Sequence, residues 1–332
     1  MASPFGWTRL TLLVVTAAAL AAGALIGLAW TIGVPTVLHG LVHPHWIWFP
    51  AAIGGELLAY LGYTLAYREV ARAERGAELD VPKAAALVAT GFGVFVQGGG
   101  FALDREALQR AGLTEDEARR RVLGLGALEY AVLAPATAVA ALIVLLRHQT
   151  VSASLTVPWL VGVPVGATLA LLALRHEKRV RGWPLVGWRL GGNLHALRLI
   201  LGLLTTPRHC LALLGTLAYW TGDVFCLWAT LQAFSAHTPP VAQLIVGYAT
   251  GYALTRRALP LGGAGVVEAL LPFALGWVRI ALPPALLAVF AYRLINLWLP
   301  MIPALAGLPT LRRLGRPRRR TPRARRRAAR SL

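Results

Sequence analysis

The sequence predicts an all-α integral membrane protein, a polytopic bundle of about eight transmembrane helices with one or two glycine-broken re-entrant segments. Of its 332 residues, 57% are hydrophobic and only 14% are charged, and the mean hydropathy is +0.60. A soluble domain carries about 25% charged residues, because its surface must be wetted. Here apolar blocks recur at about the 20 residues that a helix needs to cross a bilayer core. Lipid is therefore the expected solvent.

The predicted spans follow one another along the chain, with short polar segments between them. They are Leu10–Gly33, Trp46–Tyr67, Val122–Leu146, Val157–Leu174, Leu211–Phe234, Val241–Leu254, Val266–Ile280 and Pro284–Leu305. The first block is longer than the roughly 7–15 apolar residues of a signal peptide, so we interpret it as a span. The sixth block is short for a span, which leaves open whether it crosses the membrane or dips into it and returns.

The distribution of lysine and arginine predicts the orientation, because cytoplasmic loops are enriched in both. The segments Val34–His45 and Ser235–Pro240 contain neither residue, and Arg147–Thr156 is nearly free of charge, so we place all three outside. The segments Arg68–Lys83 and Arg175–Arg208 are rich in cations, so we place them inside. This predicts a multi-pass protein of the cytoplasmic (inner) membrane with both termini in the cytoplasm.

A glycine-rich apolar segment, Ala84–Phe101, does not fit the alternation unless it enters the membrane and returns on the same side. Its ATGF motif at Ala89–Phe92 resembles the ATGY motif at Ala249–Tyr252, and a glycine cluster follows each. Glycine-interrupted hydrophobic segments at matching places in two halves are typical of transport sites near the bilayer midplane. The echo suggests an inverted repeat.

The formal net charge of +19 lies mostly at the end of the chain, where eleven arginines fall between Arg312 and Arg330. Such a tail is expected to be disordered and to bind anionic headgroups, at about 1 kcal/mol per cation near the surface. Nucleic acid is a less favoured partner, because the tail has no aromatic residues on which bases could stack.

Ionisable residues inside spans are costly in lipid, so each is a functional candidate. They are Glu56, Glu129, Asp223, Glu268 and Arg293, and Arg256 and Arg257 lie at a break between spans. For each, a structural ion pair or a snorkelling side chain is the alternative interpretation. No nucleophile–base pair or metal cluster is evident, so we expect neither an enzyme nor a cofactor or metal site.

Glu268 and Arg293 form the most specific pair among these residues. Glu268 precedes the turn at Ile280–Pro284 by about twelve residues and Arg293 follows it by about nine, which places both at similar depth on adjacent antiparallel helices. The pair is either structural or shares Arg293 with a lipid phosphate, which suits a forked guanidinium. Gly262, Gly263 and Gly265 precede Glu268 and expose backbone N–H groups at a helix N-terminus, where an anion is favoured. Such glycines also permit close helix packing.

The segment Pro260–Glu268, the sequence Ala291-Tyr292-Arg293 and the following Trp298-Leu299-Pro300 resemble the lysylphosphatidylglycerol synthase transmembrane-region family. The segment Leu108–Ala118 supports the resemblance. It implies a flippase-like membrane domain, residues 1–311, followed by the basic cytoplasmic tail, residues 312–332. The chain departs from the family's proline-rich break at Gly98–Gly100, and no soluble aminoacyl-transferase domain follows the last span, so synthase activity is not expected.

The leading hypothesis is a flippase-like protein that binds or translocates a phospholipid or lipid-linked anionic substrate. The predicted substrate-binding residues are Gly262, Gly263, Gly265, Glu268, Tyr292, Arg293, Arg256 and Arg257, with the last two at the cytoplasmic mouth. Glu268 would set the charge and Arg293 would engage phosphate. The alternative is a non-transporting accessory subunit that recruits a cytosolic lipid-modifying enzyme or glycosyltransferase. An intramembrane enzyme acting on lipid headgroups is the least supported.

Overall fold

The computed structural model describes residues 7–93, 100–147, 151–181, 187–206, 209–234, 239–253 and 263–300. All regular secondary structure in these ranges is helical, which confirms the predicted all-α fold. The α-helices are α1 (Trp7–Ile32), α2 (Val34–Val42), α3 (Trp48–Arg72), α4 (Val81–Gly93), α5 (Gly100–Arg110), α6 (Glu115–Leu146), α7 (Ala153–Arg175), α8 (Glu177–Arg181), α9 (Gly187–Thr205), α10 (Cys210–Phe234), α11 (Val241–Tyr248), α12 (Val266–Trp277) and α13 (Leu282–Arg293). A π-helical turn extends α11 over Ala249–Ala253, and another extends α13 over Leu294–Trp298.

Four helices are long and apolar enough to cross a membrane. They are Thr11–Ile32, Glu115–Leu146, Ala153–Arg175 and Cys210–Phe234. Helices α1 and α7 expose most of their apolar length, as lipid-facing helices do. The chain is therefore a membrane protein, as predicted. The count of about eight spans stays a prediction, because the last two predicted spans form helices of 12 residues each before any π-helical extension.

Helix α6 begins at Glu115, seven residues before the predicted span at Val122. A reciprocal cap sets this start. The backbone N–H of Thr114 donates to Glu117 Oε2 at 2.9 Å, and the Glu117 N–H donates to Thr114 Oγ1 at 3.4 Å. Such a capping box satisfies two N–H groups that a helix start otherwise leaves open. Hydropathy alone misses this polar first turn, because it detects the apolar part of a helix.

Helices α3 and α10 form the closest helix pair, and glycines make that approach possible. A Cβ on Gly55 would lie 2.8 Å from the carbonyl oxygen of Gly222, and a Cβ on Gly62 would lie 2.5 Å from that of Gly215. The relation is reciprocal, since a Cβ on Gly215 would lie 2.6 Å from the oxygen of Gly62. Small residues at matching positions let membrane helices pack backbone against backbone. The two helices form the centre of the main core.

The predicted re-entrant segment Ala84–Phe101 lies in two short helices and the residues between them. Helix α4 has 13 residues and α5 has 11. A helix needs about 20 residues to cross the bilayer core, so neither is long enough to span it. The two helices contact each other, and α4 also packs against α3. Residues 94–99, which include Gly98 and Gly99, lie outside the described residues. The re-entrant assignment and the inverted repeat stay predictions.

The basic tail, residues 312–332, also lies outside the described residues. The division into a domain of residues 1–311 and a tail therefore stays a prediction, as does the orientation in the membrane. The two cysteines, Cys210 and Cys226, lie on the same helix, α10, and are free thiols.

Candidate functional site

A network of buried polar side chains lies where α3, α10, α11, α12 and α13 meet. We call it the polar cluster, and each member is at most 6% exposed. Its members are Glu56, Asp223, Tyr248, Tyr252, Glu268, Tyr292, Arg293 and Asn296. Ionisable groups at such depth in a membrane protein are expensive unless they are paired, and they mark functional sites by default.

The glycine contacts between α3 and α10 bring the first two carboxylates of the cluster together. Glu56 directly follows Gly55, and Asp223 directly follows Gly222, so both acids lie next to the point of closest helix approach. The amide of Asn296 reaches both of them. Its Nδ2 donates to Glu56 Oε2 at 3.0 Å and to Asp223 Oδ1 at 2.8 Å. One side chain therefore connects two helices through their acids.

Asp223 is the most extensively hydrogen-bonded acid of the cluster. Besides Asn296, the Tyr248 hydroxyl donates to its Oδ2 at 2.6 Å and the Tyr292 hydroxyl donates to its Oδ1 at 2.7 Å. Donors aimed at a carboxylate compensate for the water that it loses on burial. Asp223 is thus held in place from α11, from α13 and from the π-helical turn that follows α13.

Glu268 and Arg293 form the second half of the cluster, on α12 and α13. Arg293 Nε lies 2.8 Å from Glu268 Oε1, and the two side chains are 2% and 3% exposed. The other oxygen, Glu268 Oε2, accepts the backbone N–H of Gly265 at 2.7 Å. The structure therefore brings together the pair that matched depth predicted. It also places the carboxylate at the N-terminus of α12, where the helix dipole favours an anion.

Tyr252 joins the two halves. Its hydroxyl donates to Asn296 Oδ1 at 2.7 Å, and its ring lies 5.8 Å from the Arg293 guanidinium carbon. The rings of Tyr248 and Tyr292 contact the Tyr252 ring at centroid distances of 5.2 Å and 5.5 Å. A guanidinium over an aromatic face is attracted by the ring quadrupole. The cluster is thus one continuous network and not two separate sites.

The glycine segment before α12 lies under α1. Gly263 and Gly265 have φ angles of +70° and +83°, which favour glycine. A Cβ on Gly265 would also lie 3.1 Å from the Cβ of Leu20 on α1. Ala264 packs with Ala17 of α1 and with Leu297. Helix α1 thus covers the N-terminus of α12. Arg293, which pairs with Glu268 at that end of α12, is buried from both lipid and water.

Of the eight predicted substrate-binding residues, the structure brings five together. Gly265, Glu268 and Arg293 are bonded or paired to one another, Tyr292 binds Asp223, and Gly263 lies in the turn before α12. Gly262, Arg256 and Arg257 lie outside the described residues. Whether these residues bind substrate stays a prediction.

Glu129, another candidate from the sequence, lies on α6 beside the cluster. Its backbone carbonyl accepts the indole N–H of Trp220 at 2.9 Å. The Trp220 ring in turn contacts Tyr248 at a centroid distance of 6.1 Å. Glu129 is thus connected to the cluster through its backbone and an aromatic contact.

Sequence reasoning missed three members of the cluster: Tyr248, Tyr252 and Asn296. All three are uncharged, so a search for ionisable residues within spans passes over them. The sequence does hold two signals for the tyrosines. Tyr248 and Tyr252 are four residues apart and therefore share a helix face, and Tyr252 ends the ATGY motif that resembles ATGF at Ala89–Phe92. Asn296 lies in a π-helical turn, a feature that often occurs at functional sites.

The described cluster holds three carboxylates and one guanidinium, so it has one cationic pole and a larger acidic one. Arg293, the last residue of α13, lies against the first turn of α12 and is the anion-attracting pole, and Glu268 occupies it. Glu56 and Asp223 form the acidic pole around Asn296. The cluster thus combines one group that attracts anions with two that attract cations.

Comparison with known proteins gives one family match. The model of a family described as Lysylphosphatidylglycerol synthase TM region matches residues 122–304, which is more than half of the chain. The match runs from within α6 to beyond the π-helical turn after α13 and includes every member of the polar cluster except Glu56. The comparison with curated proteins finds no match.

Proposed function

The chain belongs to the lysylphosphatidylglycerol synthase TM region family. We propose that it binds a phospholipid by its headgroup and moves the lipid across the cytoplasmic membrane. The observation that carries this proposal is the buried Glu268–Arg293 pair at the N-terminus of α12. A lipid-linked anionic substrate with the same phosphate chemistry fits the site equally well. The membership itself makes the chain a membrane protein of a lipid-handling family.

Glu268 acts, in this proposal, as an internal substitute for the substrate phosphate. Its two oxygens already bind the two donors that a phosphate would use, the Arg293 guanidinium and the Gly265 N–H. Guanidinium groups and helix N-termini are both common phosphate ligands. An incoming phosphate would displace the carboxylate, and the released Glu268 would return when the phosphate leaves.

The acidic pole would set headgroup selectivity. Glu56 and Asp223 are connected to Arg293 through Asn296 and Tyr252. A headgroup amine near these acids and a phosphate on Arg293 would satisfy both poles at once. A headgroup without an amine would leave the two acids facing a second negative charge. We therefore propose that amine-bearing phospholipids bind more tightly than phosphatidic acid.

Access to the site requires α1 to move. Helix α1 covers Gly265 through Leu20, yet it buries little of its own surface, and Leu12, Val15, Ile26 and Trp30 are all exposed. A helix with few buried contacts costs less to displace than one in the core. In this proposal the conformation described above is the closed one, and displacement of α1 opens the phosphate site.

Reconstituted proteoliposomes with fluorescent phospholipids test this proposal by the rate at which label crosses between leaflets. Arg293→Gln is expected to lower the rate at least tenfold, because the phosphate loses its principal ligand. Glu268→Gln is expected to strengthen headgroup binding, since it removes the internal competitor. Arg175→Gln, at the exposed end of α7, is the matched charge control and should leave the rate unchanged.

Two results would contradict the proposal. One is wild-type protein that is folded and reconstituted but transfers lipid no faster than protein-free vesicles, which would favour the accessory-subunit alternative. The other is an unchanged rate in Arg293→Gln, which would confine Arg293 to a structural role.

A further inference from the structure

An apolar groove runs along the outer face of α6, α10 and α11, beside the polar cluster. It consists of two adjoining cavities of about 490 Å³ and 670 Å³, which share Ala136, Val241 and Ile245 in their walls. We call these two cavities together the lateral groove. Its volume lies within or just above the roughly 300–1,000 Å³ of typical small-molecule sites.

The groove is longer than the hydrocarbon part of one lipid leaflet. Its lining on α6 extends from Val132 to Arg147, which is about 22 Å at the rise of an α-helix. Half of a bilayer's hydrocarbon core is about 15 Å thick. A chain lying in the groove therefore reaches from the membrane interface past the midplane.

The chemistry of the groove changes along its length. The deep part is lined by aliphatic side chains and by Trp220, Phe225 and Trp228, with Thr221 as a polar exception. The outer part ends at Arg147, the one charged side chain in the described lining of either cavity. Arg147 is exposed and follows the last residue of α6. A long apolar trough with a cation at its interfacial end matches an acyl chain attached to an anionic headgroup.

The groove and the polar cluster share a wall. Trp220 lines the deep part of the groove, and its ring contacts Tyr248, which donates to Asp223. Helix α11 contributes Leu244 and Ile245 to the groove and Tyr248 to the cluster. A lipid in the groove therefore lies one aromatic layer away from the buried acids.

We propose that the lateral groove binds one acyl chain of a glycerophospholipid and that Arg147 binds its phosphate. This inference rests on the proposed function, because it gives the transported lipid its position of entry from the bilayer. The occupant is a lipid of the surrounding leaflet and not a second copy of the chain. The described lining of the groove is apolar except for Thr221 and Arg147, and an apolar surface with one cation at its end complements an acyl chain and its phosphate. In this arrangement the groove binds the acyl chain of the lipid, and the polar cluster binds its headgroup during transfer.

Photo-crosslinking tests the inference on the full-length protein in nanodiscs that contain phosphatidylglycerol with a diazirine on one acyl chain. Peptide mapping is expected to find label on groove residues of α6, α10 and α11 at several times the level found on α7. Ala136→Trp fills the groove from an exposed position and should reduce that label at least fivefold. Ala167→Trp, on the exposed face of α7, is the matched control and should leave the label unchanged.

The role of Arg147 has its own measurement in the same nanodiscs. Arg147→Gln should reduce the preference for labelled phosphatidylglycerol over labelled phosphatidylcholine about fivefold, as expected for one interfacial cation. Arg147→Lys should keep most of the preference. A preference unchanged in Arg147→Gln would overturn the assignment of the phosphate.

Three outcomes would overturn the inference without touching the proposed function. They are label spread evenly over the lipid-facing helices, groove label that survives Ala136→Trp, and a crosslinked dimer joined through the groove. The transport assay separates the two proposals further. Ala136→Trp should slow lipid transfer while Arg293 stays intact, and groove label lost without any change in transfer would show an annular lipid that is not the substrate.

Discussion

At the scale of single residues, Asn296 is the connection on which the polar cluster depends. Its amide donates to two carboxylates and accepts from one tyrosine. An amide is well suited to this position, because it supplies donors and an acceptor without adding charge. A carboxylate there would place a third acid next to Glu56 and Asp223.

Replacing Asn296 with leucine is therefore expected to destabilise the protein by about 2–4 kcal/mol, because two buried carboxylates lose a donor. Tyr252→Phe removes a single neutral hydrogen bond from the same amide and should cost about 1 kcal/mol. Thermal unfolding of both variants in the same detergent gives the comparison. Equal losses for the two variants would show that the carboxylates do not depend on Asn296.

The sequence indicated part of this site and missed the rest for a physical reason. The cost of burying charge singles out Glu56, Asp223, Glu268 and Arg293 one at a time, and the helical rise then pairs the last two. The link between Glu56 and Asp223 depends on α3 lying against α10, which are far apart in the chain. No local pattern reports such a contact, so Asn296 could not be chosen from among the neutral residues.

At the scale of helices, the glycine contacts between α3 and α10 set the geometry of the acids. Gly222→Ala places a methyl group against the backbone of α3 and is expected to cost about 1–3 kcal/mol, as overpacking does. Gly54→Ala is the matched control, since a Cβ there meets nothing within 4 Å. Denaturation midpoints of the two variants check this prediction. A Gly222→Ala protein as stable as Gly54→Ala would mean that the two helices can separate freely.

Helix α6 stabilises the end of α3 with a buried arginine. Arg121 Nη2 donates to the carbonyl of Ala73 at 2.7 Å, and Nε donates to that of Ala71 at 3.2 Å. The last four carbonyls of a helix have no partner within the helix. Those of Ala71 and Ala73 also accept the backbone N–H groups of Ala77 and Gly76, at 2.9 Å and 3.0 Å, so Arg121 adds a second, charged donor to each. We expect Arg121→Gln to lower stability by about 2 kcal/mol, whereas the exposed Arg119→Gln on the same helix should have little effect. Hydrogen exchange at the end of α3 should rise only in the first variant.

Helix existence could be predicted well from the sequence, and helix boundaries less well. Long apolar blocks identify α1, α6, α7 and α10, because the bilayer requires such blocks. The polar start of α6 at Thr114 depends on capping chemistry and not on hydropathy. The π-helical turns after α11 and α13 depend on tertiary contacts around the cluster, which a local pattern does not contain.

At the scale of the whole molecule, the predicted orientation has a direct consequence. Ser152, after α6, should face outside, and Asp116, at the start of α6, should face the cytoplasm. In a protein with Cys210 and Cys226 replaced by alanine, an impermeant maleimide should label Ser152→Cys in intact cells. It should label Asp116→Cys only after the membrane is permeabilised. The reverse pattern would invert the orientation and place the N-terminus outside.

The whole molecule also determines which half of the site is accessible. The main core is formed largely by α3, α6, α10, α11, α12 and α13, whereas α1 contacts it at the α12 N-terminus and along α13. This division leaves a stable scaffold around the acids and a weakly held cover over Arg293. The lateral groove is lined by α6, α10 and α11 and not by α1, so the proposed site of lipid entry and the cover over Arg293 lie on different helices.

The most direct test of the phosphate site is the exchange of its two charges, Glu268→Arg together with Arg293→Glu. The double variant keeps an ion pair between α12 and α13, so it should recover much of the stability that either single change removes. The exchange places the guanidinium on α12 and the carboxylate on α13, and it takes from the Gly265 N–H the carboxylate that it binds. We therefore predict that lipid transfer stays at least tenfold below that of the wild type. Recovery of transfer together with stability would show that the pair only holds the helices together and would contradict the account.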